Sequence, residues 1–378
     1  MGVCLESVKK AFGEQLVLNN VSCEFPDREI STVLGISGCG KTTLLRIIAG
    51  LEEPDEGDVY IDHERVTNKT PQQRNLGMVF QDLASYPHLP VDKNLLLPLL
   101  AKGFKRDAAL SRVKTIAQRF GIGSFLDRRA ALLSGGELQR LALGRAMIRE
   151  PKVMLLDEPF SQLDAPLQRE ARQFVFSELR SAGTTTVLVT HNHQDAQEAG
   201  GTVFFLDEGS ISQKGSWEEL YWRPATPRVA QVVSFLEPVA LPGEVVVVGN
   251  SLRFRNSTIP LDLQIDERLA STWSEENCRA KLFFRPEVLT VKQAEPSLRP
   301  GSTLDGEVMS LFLQGSTRFC RFANSSGIII EARNEHFEPA HGSKVSVMLE
   351  AAPQLLLWPE REQKPTELGA IVQIPITL

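Results

Sequence analysis

Glu29-Ile30-Ser31-Thr32-Val33-Leu34-Gly35-Ile36-Ser37-Gly38-Cys39-Gly40-Lys41-Thr42 opens as an apolar segment with the look of a buried strand. Glycines then interrupt the extended pattern, and a helix is expected from Lys41 to about Ala49. Residues 35–42 fit G-x-x-x-x-G-K-[ST], a loop whose backbone N–H groups curl inward around phosphate oxygens. The helix start adds the positive end of its dipole. Lys41 offers a compact charge to the terminal phosphates, and Thr42 a hydroxyl to Mg²⁺. The candidate phosphate-site residues are therefore Gly35, Ser37, Gly38, Cys39, Gly40, Lys41, Thr42 and Thr43. A glycine-rich turn without a ligand is the alternative, and the strand-to-helix placement argues against it.

Farther along, Val153-Met154-Leu155-Leu156-Asp157-Glu158 reads as a central apolar strand with two carboxylates at its C-terminal end. Ligands of open α/β sheets gather at that end. Asp157 can hold Mg²⁺, and Glu158 is placed to take a proton from an attacking water. An apolar strand ending in Asp-Glu is common by itself, and it gains meaning beside the phosphate loop. Leu133-Ser134-Gly135-Gly136-Glu137-Leu138-Gln139-Arg140 adds a second anion-binding helix start, with Ser134 as the cap.

Strand patterns at Glu29–Leu34, Val153–Asp157 and Thr185–Thr190 alternate with helix patterns such as Ala165–Ser181. This predicts a parallel sheet covered by helices. Pro90–Ala131 reads as consecutive helices inserted into that α/β core. From Pro242 onward the pattern changes to short strands between turn residues: Glu244–Val248, Ser251–Phe254, Ala280–Phe284, Gly306–Ser310, Arg318–Phe322, Gly327–Glu331 and Lys344–Leu349. The expected architecture is an α/β P-loop NTPase with a helical insertion at about 90–135, followed by a small all-β barrel-like domain. The expected domains are 1–238 and 239–378.

Composition limits the partners. The chain has 378 residues, 42% hydrophobic and 23% charged, with a net charge of −6. That balance gives no reason to expect nucleic acid. Lys9–Lys10 and Arg128–Arg129 read as solvated surface. Runs such as Val245–Val248 and Leu355–Trp358 fall far short of the about 20 residues that span a bilayer. No signal peptide is visible at the amino terminus. Cytoplasmic residence follows as the expectation. The five cysteines, at 4, 23, 39, 278 and 320, show no zinc spacing. They are read as reduced thiols, with Cys39 set apart by its place in the phosphate loop.

In this order of motifs, residues 1–235 resemble the ATPase subunits of ATP-binding-cassette (ABC) transporters. Val79-Phe80-Gln81-Asp82 is similar to the family's Q-loop, Ser161-Gln162-Leu163-Asp164 to its D-loop, and Thr190-His191 to its switch histidine. Phe12 matches the aromatic position that stacks on adenine. The resemblance implies ATP and Mg²⁺ as ligands. It further implies a head-to-tail dimer in which each ATP lies between one copy's phosphate loop and the other's Ser134, Gly135 and Gly136. Gln81 would sense Mg²⁺ and the γ-phosphate, His191 would hold the attack geometry, and Asp164 would lie at the dimer contact. Phe replaces the commoner Tyr at 12, Glu137 replaces the usual Gln, and Asn192 the frequent Asp, while the core chemical residues are all present.

Missing membrane helices favour an importer, since exporters often fuse membrane and ATPase portions. Arg285-Pro286-Glu287, Gly306-Glu307-Val308 and His341-Gly342-Ser343-Lys344-Val345 look like the accessory (TOBE/OB-like) barrel of importer ATPases. The implied partners are membrane-spanning permease subunits and, indirectly, an external solute-binding protein. The implied place is the cytoplasmic face of the inner membrane, held peripherally. Ferric iron, another small ion or a polyamine is the expected cargo. A non-transport ABC ATPase acting on nucleic acid or in translation is the alternative. The interval from Lys41 to Asp157 leaves no room for a repair protein's coiled coil, and the chain holds one cassette rather than the tandem pair of translation factors.

Overall fold

The computed structural model describes residues 2–248, 251–256, 261–265, 278–293, 303–314, 316–334, 339–348, 355–359 and 372–374. The chain divides into two compact units, Met1–Leu220 and Tyr221–Leu378.

The first unit begins with β1 (Val3–Phe12), β2 (Gln15–Phe25), β3 (Ile30–Leu34), α1 (Lys41–Ala49), β4 (Glu56–Ile61), β5 (Glu64–Arg65) and β6 (Leu76–Val79). Helices α2 (Val91–Ala101) and α3 (Arg106–Arg119) fall within 90–135, and α4 (Gly135–Met147) follows beyond it. The remainder is β7 (Val153–Asp157), α5 (Ala165–Ala182), β8 (Thr185–Thr190), α6 (His193–Ala199), β9 (Val203–Asp207) and β10 (Ser210–Gly215). α7 (Trp217–Trp222) and α8 (Pro227–Val233) close the helical part of the chain.

Six strands form one sheet in the order β10-β9-β3-β8-β7-β6, parallel except for β10. The continuous apolar run of β7 follows from its burial on both faces. Val153 and Leu155 point to a core shared with α1 and with an antiparallel sheet β2-β1-β4-β5. Met154 and Leu156 point to the opposite core, filled by Leu95 and Leu99 of α2, Leu141 of α4 and Phe176 of α5.

The antiparallel sheet has no counterpart among the sequence expectations, and one of its lysines departs from them. Lys10 is buried rather than solvated, with Nζ 2.9 Å from Glu52, 3.2 Å from Asp55 and 2.8 Å from the Glu53 carbonyl. Arg128 packs its guanidinium on the Phe125 ring, 4.7 Å from the centroid.

Arg74 is a further buried cation. It donates to the carbonyls of Ile47 (2.6 Å), Ile48 (2.8 Å), Thr67 (2.9 Å) and Lys69 (3.0 Å). Two of those carbonyls lie in the last turn of α1, and that of Ile47 also accepts the Gly50 N–H at 3.1 Å. Arg74→Ala removes the side-chain donors that reach all four carbonyls, and we expect a loss of about 2–4 kcal/mol of stability. A melting curve of the full chain checks this, and an unchanged midpoint would refute it.

The second unit holds two antiparallel sheets around one core that includes Leu241, Phe254, Leu282, Leu304, Phe322 and Val345. In the larger, strands run in the order Leu261–Ile265, Ser251–Asn256, Val239–Val248, Cys278–Phe284, Leu355–Pro359, Val372–Ile374. In the smaller the order is Val291–Gln293, Lys344–Met348, Thr303–Gln314, Thr317–Ala323, Ile329–Arg333. A bridge between Thr290 and Arg333 joins the outer strands of the smaller sheet, which gives it a barrel-like closure. Within Arg285-Pro286-Glu287, Glu287 accepts from the Tyr221 hydroxyl at 2.8 Å and Arg285 donates to Ser234 at 2.9 Å. The strand expected at Gly327–Glu331 starts later, at Ile329, because Gly327 turns the chain with φ 76°.

Candidate active site

Register gathers the candidate residues at one end of the parallel sheet. Leu34 pairs with Thr190, Asp157 with Val189, and Val79 with Leu156. The segments leaving those strands carry the phosphate loop, the Asp157-Glu158 pair, Gln81 and His191. Gln81 is exposed two residues beyond β6.

The phosphate loop is shaped by close backbone approaches. Gly40 has φ 106°, and a Cβ there would meet Leu18 and the Val17 carbonyl at 2.9 Å. Only glycine suits both constraints. The same contacts set the loop against β2, whose hairpin with β1 carries Phe12 opposite Gln15. Phe12 is half exposed, with Lys10 Nζ 5.3 Å from its ring centroid. Ser37 and Gly38 are exposed at the tip of the loop, and Thr43 is partly buried beside Thr42. Cys39 is buried with its Sγ toward Gly35, where a Cβ would lie 2.7 Å away. Burial raises its thiol pKa, against the pull of Lys41.

Lys41 is buried at the head of α1. Its ammonium donates to the carbonyls of Gly35 (3.0 Å) and Ile36 (2.8 Å) and lies 4.0 Å from Glu158. Thr42 Oγ1 donates to Asp157 Oδ1 at 3.1 Å. Burial pushes the Asp157 carboxyl above its usual range, opposed by the Thr42 hydrogen bond and reinforced by the charge of Glu158. A divalent cation beside Asp157 would relieve that cost. The donor pair of one hydroxyl and one carboxylate suits Mg²⁺, which takes few protein ligands and fills its octahedron with water and phosphate oxygens. Among the described residues no group of three or more His, Cys, Asp or Glu could hold a metal without such help.

Glu158 adopts φ 43° and is fixed by its N–H to the Val189 carbonyl at 2.9 Å. Ser161 Oγ closes the turn on the Glu158 carbonyl at 2.9 Å. His191 Nδ1 lies 3.0 Å from Glu158 Oε1. With its proton on Nδ1, the imidazole donates to the carboxylate and leaves Nε2 as an acceptor. Asp164 caps α5 by accepting from Leu167 N at 3.1 Å.

Ser134 and Glu137 form a reciprocal capping box on α4: Ser134 N–H donates to Glu137 Oε2 at 2.8 Å, and Glu137 N–H to Ser134 Oγ at 3.4 Å. The S-x-x-E spacing could have revealed this in the sequence. It gives Glu137 a job that the usual Gln also performs. Gly135 and Gly136 then head the helix with first-turn N–H groups that have no intrahelical partner. Asn192 likewise caps α6, accepting from Gln194 N at 2.9 Å.

Three supports escaped the sequence. Gln139 of α4 donates to the Pro159 carbonyl at 3.2 Å, linking this helix to the segment after Glu158. Arg145 of α4 donates to the Ala84 carbonyl and stacks on Tyr86, 4.8 Å from the ring centroid. Buried Asn94 holds the Tyr86 N–H at 2.8 Å. No local motif announces any of these, since each partner lies in another segment. A cleft of about 200 Å³ beside this support is lined by Val79, Phe80, Leu83, Pro98, Arg145 and Arg149.

Known proteins resemble this chain in sequence and in fold. The profile of the ABC transporter family matches residues 18–161. The trehalose/maltose import ATP-binding protein MalK of Thermococcus litoralis is 38% identical over 275 residues, covering 70% of this chain and 73% of that one. The Fe(3+) ions import ATP-binding protein FbpC of Escherichia coli O157:H7 is 41% identical over 222 residues, 59% of this chain and 64% of that one. A solved dimeric ATP-binding cassette in a post-hydrolysis state, bound to ADP and Pi, superposes with a TM-score of 0.51 at 29% identity, covering 57% of this chain and 98% of that one. No helix among the described residues is long and apolar enough to cross a membrane. The chain belongs to the ATP-binding subunits of ABC importers, which bind ATP with Mg²⁺ and hydrolyse it to drive transport.

Proposed function

We propose that two copies of this chain sandwich two ATP molecules, each held by the phosphate loop of one copy and by Ser134, Gly135 and Gly136 of the other. One observation carries this reading. The cavity at the start of α4 is lined by Ser134, Gly136, Glu137, Arg140, Leu167 and Phe174 among others, and by no residue of the phosphate loop. Two positive helix starts in separate places in one copy suit a ligand with several negative charges bound between copies.

Within each site Phe12 stacks on adenine, and Gly35, Ser37–Gly40 and Thr43 form the wall of the phosphate cradle. Lys41 bridges the terminal phosphates. Mg²⁺, held by Thr42 and Asp157 with Gln81 nearby, supplies charge neutralisation when bound. Glu158 accepts the proton of the attacking water. His191 holds Glu158 and the γ-phosphate in line, and Asp164 belongs to the dimer contact. Substitution of Ser134 by Arg fills the anion-facing helix start of the partner's site. We expect hydrolysis to fall by about 100-fold or more while the phosphate loop still binds ATP. Full hydrolysis by Ser134→Arg would contradict the composite site.

Membrane-spanning permease subunits are the partners that the ATPase drives, and the cleft beside Gln81 and Arg145 is where we seat them. The chain then works at the cytoplasmic face of the membrane, with an external solute-binding protein delivering cargo and no nucleic acid involved. The catalytic work lies ahead of residue 239, and the β-rich remainder is accessory. Ferric iron, another small ion or a polyamine is one cargo reading. Sugar is the second, favoured because the match to the sugar importer extends over 70% of this chain and the match to the ferric-ion importer over 59%.

A further inference from the structure

We propose that Arg172 and Asp195 form a buried positioning pair that fixes the switch residue His191 and ties it to the helix that carries Asp164 at its start. The proposal rests on the roles of His191 and Asp164 given above. The two side chains are each 4% exposed, deep between α5 and α6. Arg172 Nη1 lies 3.1 Å from Asp195 Oδ1. The other carboxylate oxygen, Oδ2, accepts from the Thr190 hydroxyl at 2.6 Å. That hydroxyl in turn accepts the N–H of Asn192 at 3.0 Å. The residues on both sides of His191 therefore hang on one hydroxyl, and that hydroxyl hangs on one carboxylate.

His191 itself is more than half exposed and makes its polar contact with Glu158 at 3.0 Å. Its backbone position is thus set from behind by Thr190 and Asn192. Arg172 also reaches Gln194 Oε1 at 3.3 Å and the Glu198 carboxylate at 3.2 Å, so it is anchored along the length of α6. Arg172 lies just over two turns into α5, whose first turn Asp164 caps. A shift of the Asp164 end of α5 moves Arg172 with it, and Asp195 and Thr190 pass the shift to the loop that carries His191. Burying a charged pair costs desolvation, and an apolar pair would fill the same space with no such cost. An apolar pair would, however, leave the Thr190 hydroxyl without its acceptor.

The test is steady-state Mg-ATP hydrolysis by the full chain, with nucleotide affinity and melting temperature measured on the same preparations. The variants are His191→Ala, Asp195→Asn, Thr190→Val and Thr190→Ser. We expect His191→Ala to abolish turnover. Asp195→Asn and Thr190→Val should lower kcat by about 10- to 100-fold, with KM close to wild type. Each also lowers the melting temperature, Asp195→Asn the more, because it leaves the buried Arg172 charge without its buried partner. Thr190→Ser keeps the hydroxyl and should restore most of the rate. Should Asp195→Asn fail to fold, the Thr190 pair decides, because it leaves the ion pair intact. Wild-type kcat in Thr190→Val beside an inactive His191→Ala would overturn the positioning role and leave the switch reading standing. A joint fall of kcat, affinity and melting temperature would also overturn it, as loss of structure alone. Full activity in His191→Ala would remove the switch reading, and the proposal with it.

Discussion

Glu158→Gln is expected to bind ATP with near-normal affinity and to hydrolyse it about 10²- to 10⁴-fold more slowly than the wild type. The carboxylate sits on the turn that ends β7, locked by the Val189 carbonyl through its own N–H and by Ser161 through its own carbonyl. That geometry survives the change to an isosteric amide. What disappears is the acceptor for the water's proton, and with it the charged partner of His191 at 3.0 Å. The ATP-bound chain should then accumulate as a dimer, visible by light scattering in the presence of Mg-ATP. Rapid turnover by this variant would remove Glu158 from the role of base.

Lys41→Ala should act earlier, on binding. The ammonium is buried at the head of α1 and held by two loop carbonyls, so its position is fixed rather than sampled. A charge-assisted contact to phosphate carries more energy than a neutral hydrogen bond. We expect ATP affinity to fall roughly 10- to 100-fold, the range that one or two such contacts supply. A fluorescent-nucleotide titration measures it, and unchanged affinity would refute the assignment of the loop. The two variants separate the steps, since one should bind without turnover and the other should bind poorly.

The sequence revealed those parts of the fold whose local pattern and tertiary place agree. Val153–Asp157 is apolar throughout because both its faces are covered, and its bounds were legible to the residue. The helix at Lys41–Ala49 was equally plain, announced by glycines that break one period and start another. The antiparallel sheet was not legible. Its first pair of strands carries register shifts between Leu5 and Val8 and again beside Lys10, so the two-residue alternation fails just where it was needed. Lys10 looked like solvent-facing charge, yet its acids lie more than 40 residues away. In the second unit, Val291–Gln293 escapes the sequence because it is three residues long and its partner, Lys344–Met348, lies far along the chain.

The site shows the same division. Lys41, Thr42, Asp157, Glu158 and His191 stand out because each lies in a motif, and the sheet register gathers the strands they leave. Their supports stand out nowhere. Arg74, Arg145 and the Arg172–Asp195 pair are ordinary charged residues in sequence, and only tertiary contact gives them a task. Glu137 and Asn192 depart from the family pattern, yet each takes part in a helix cap that the local spacing allows.

Solute uptake in cells lacking the chain shows whether this ATPase powers import. The panel is labelled sugar, iron, sulfate, phosphonate and polyamine. Loss of uptake of one of these, restored by the wild type and not by Glu158→Gln, is the expected result. Undiminished uptake of every solute would contradict a role in import.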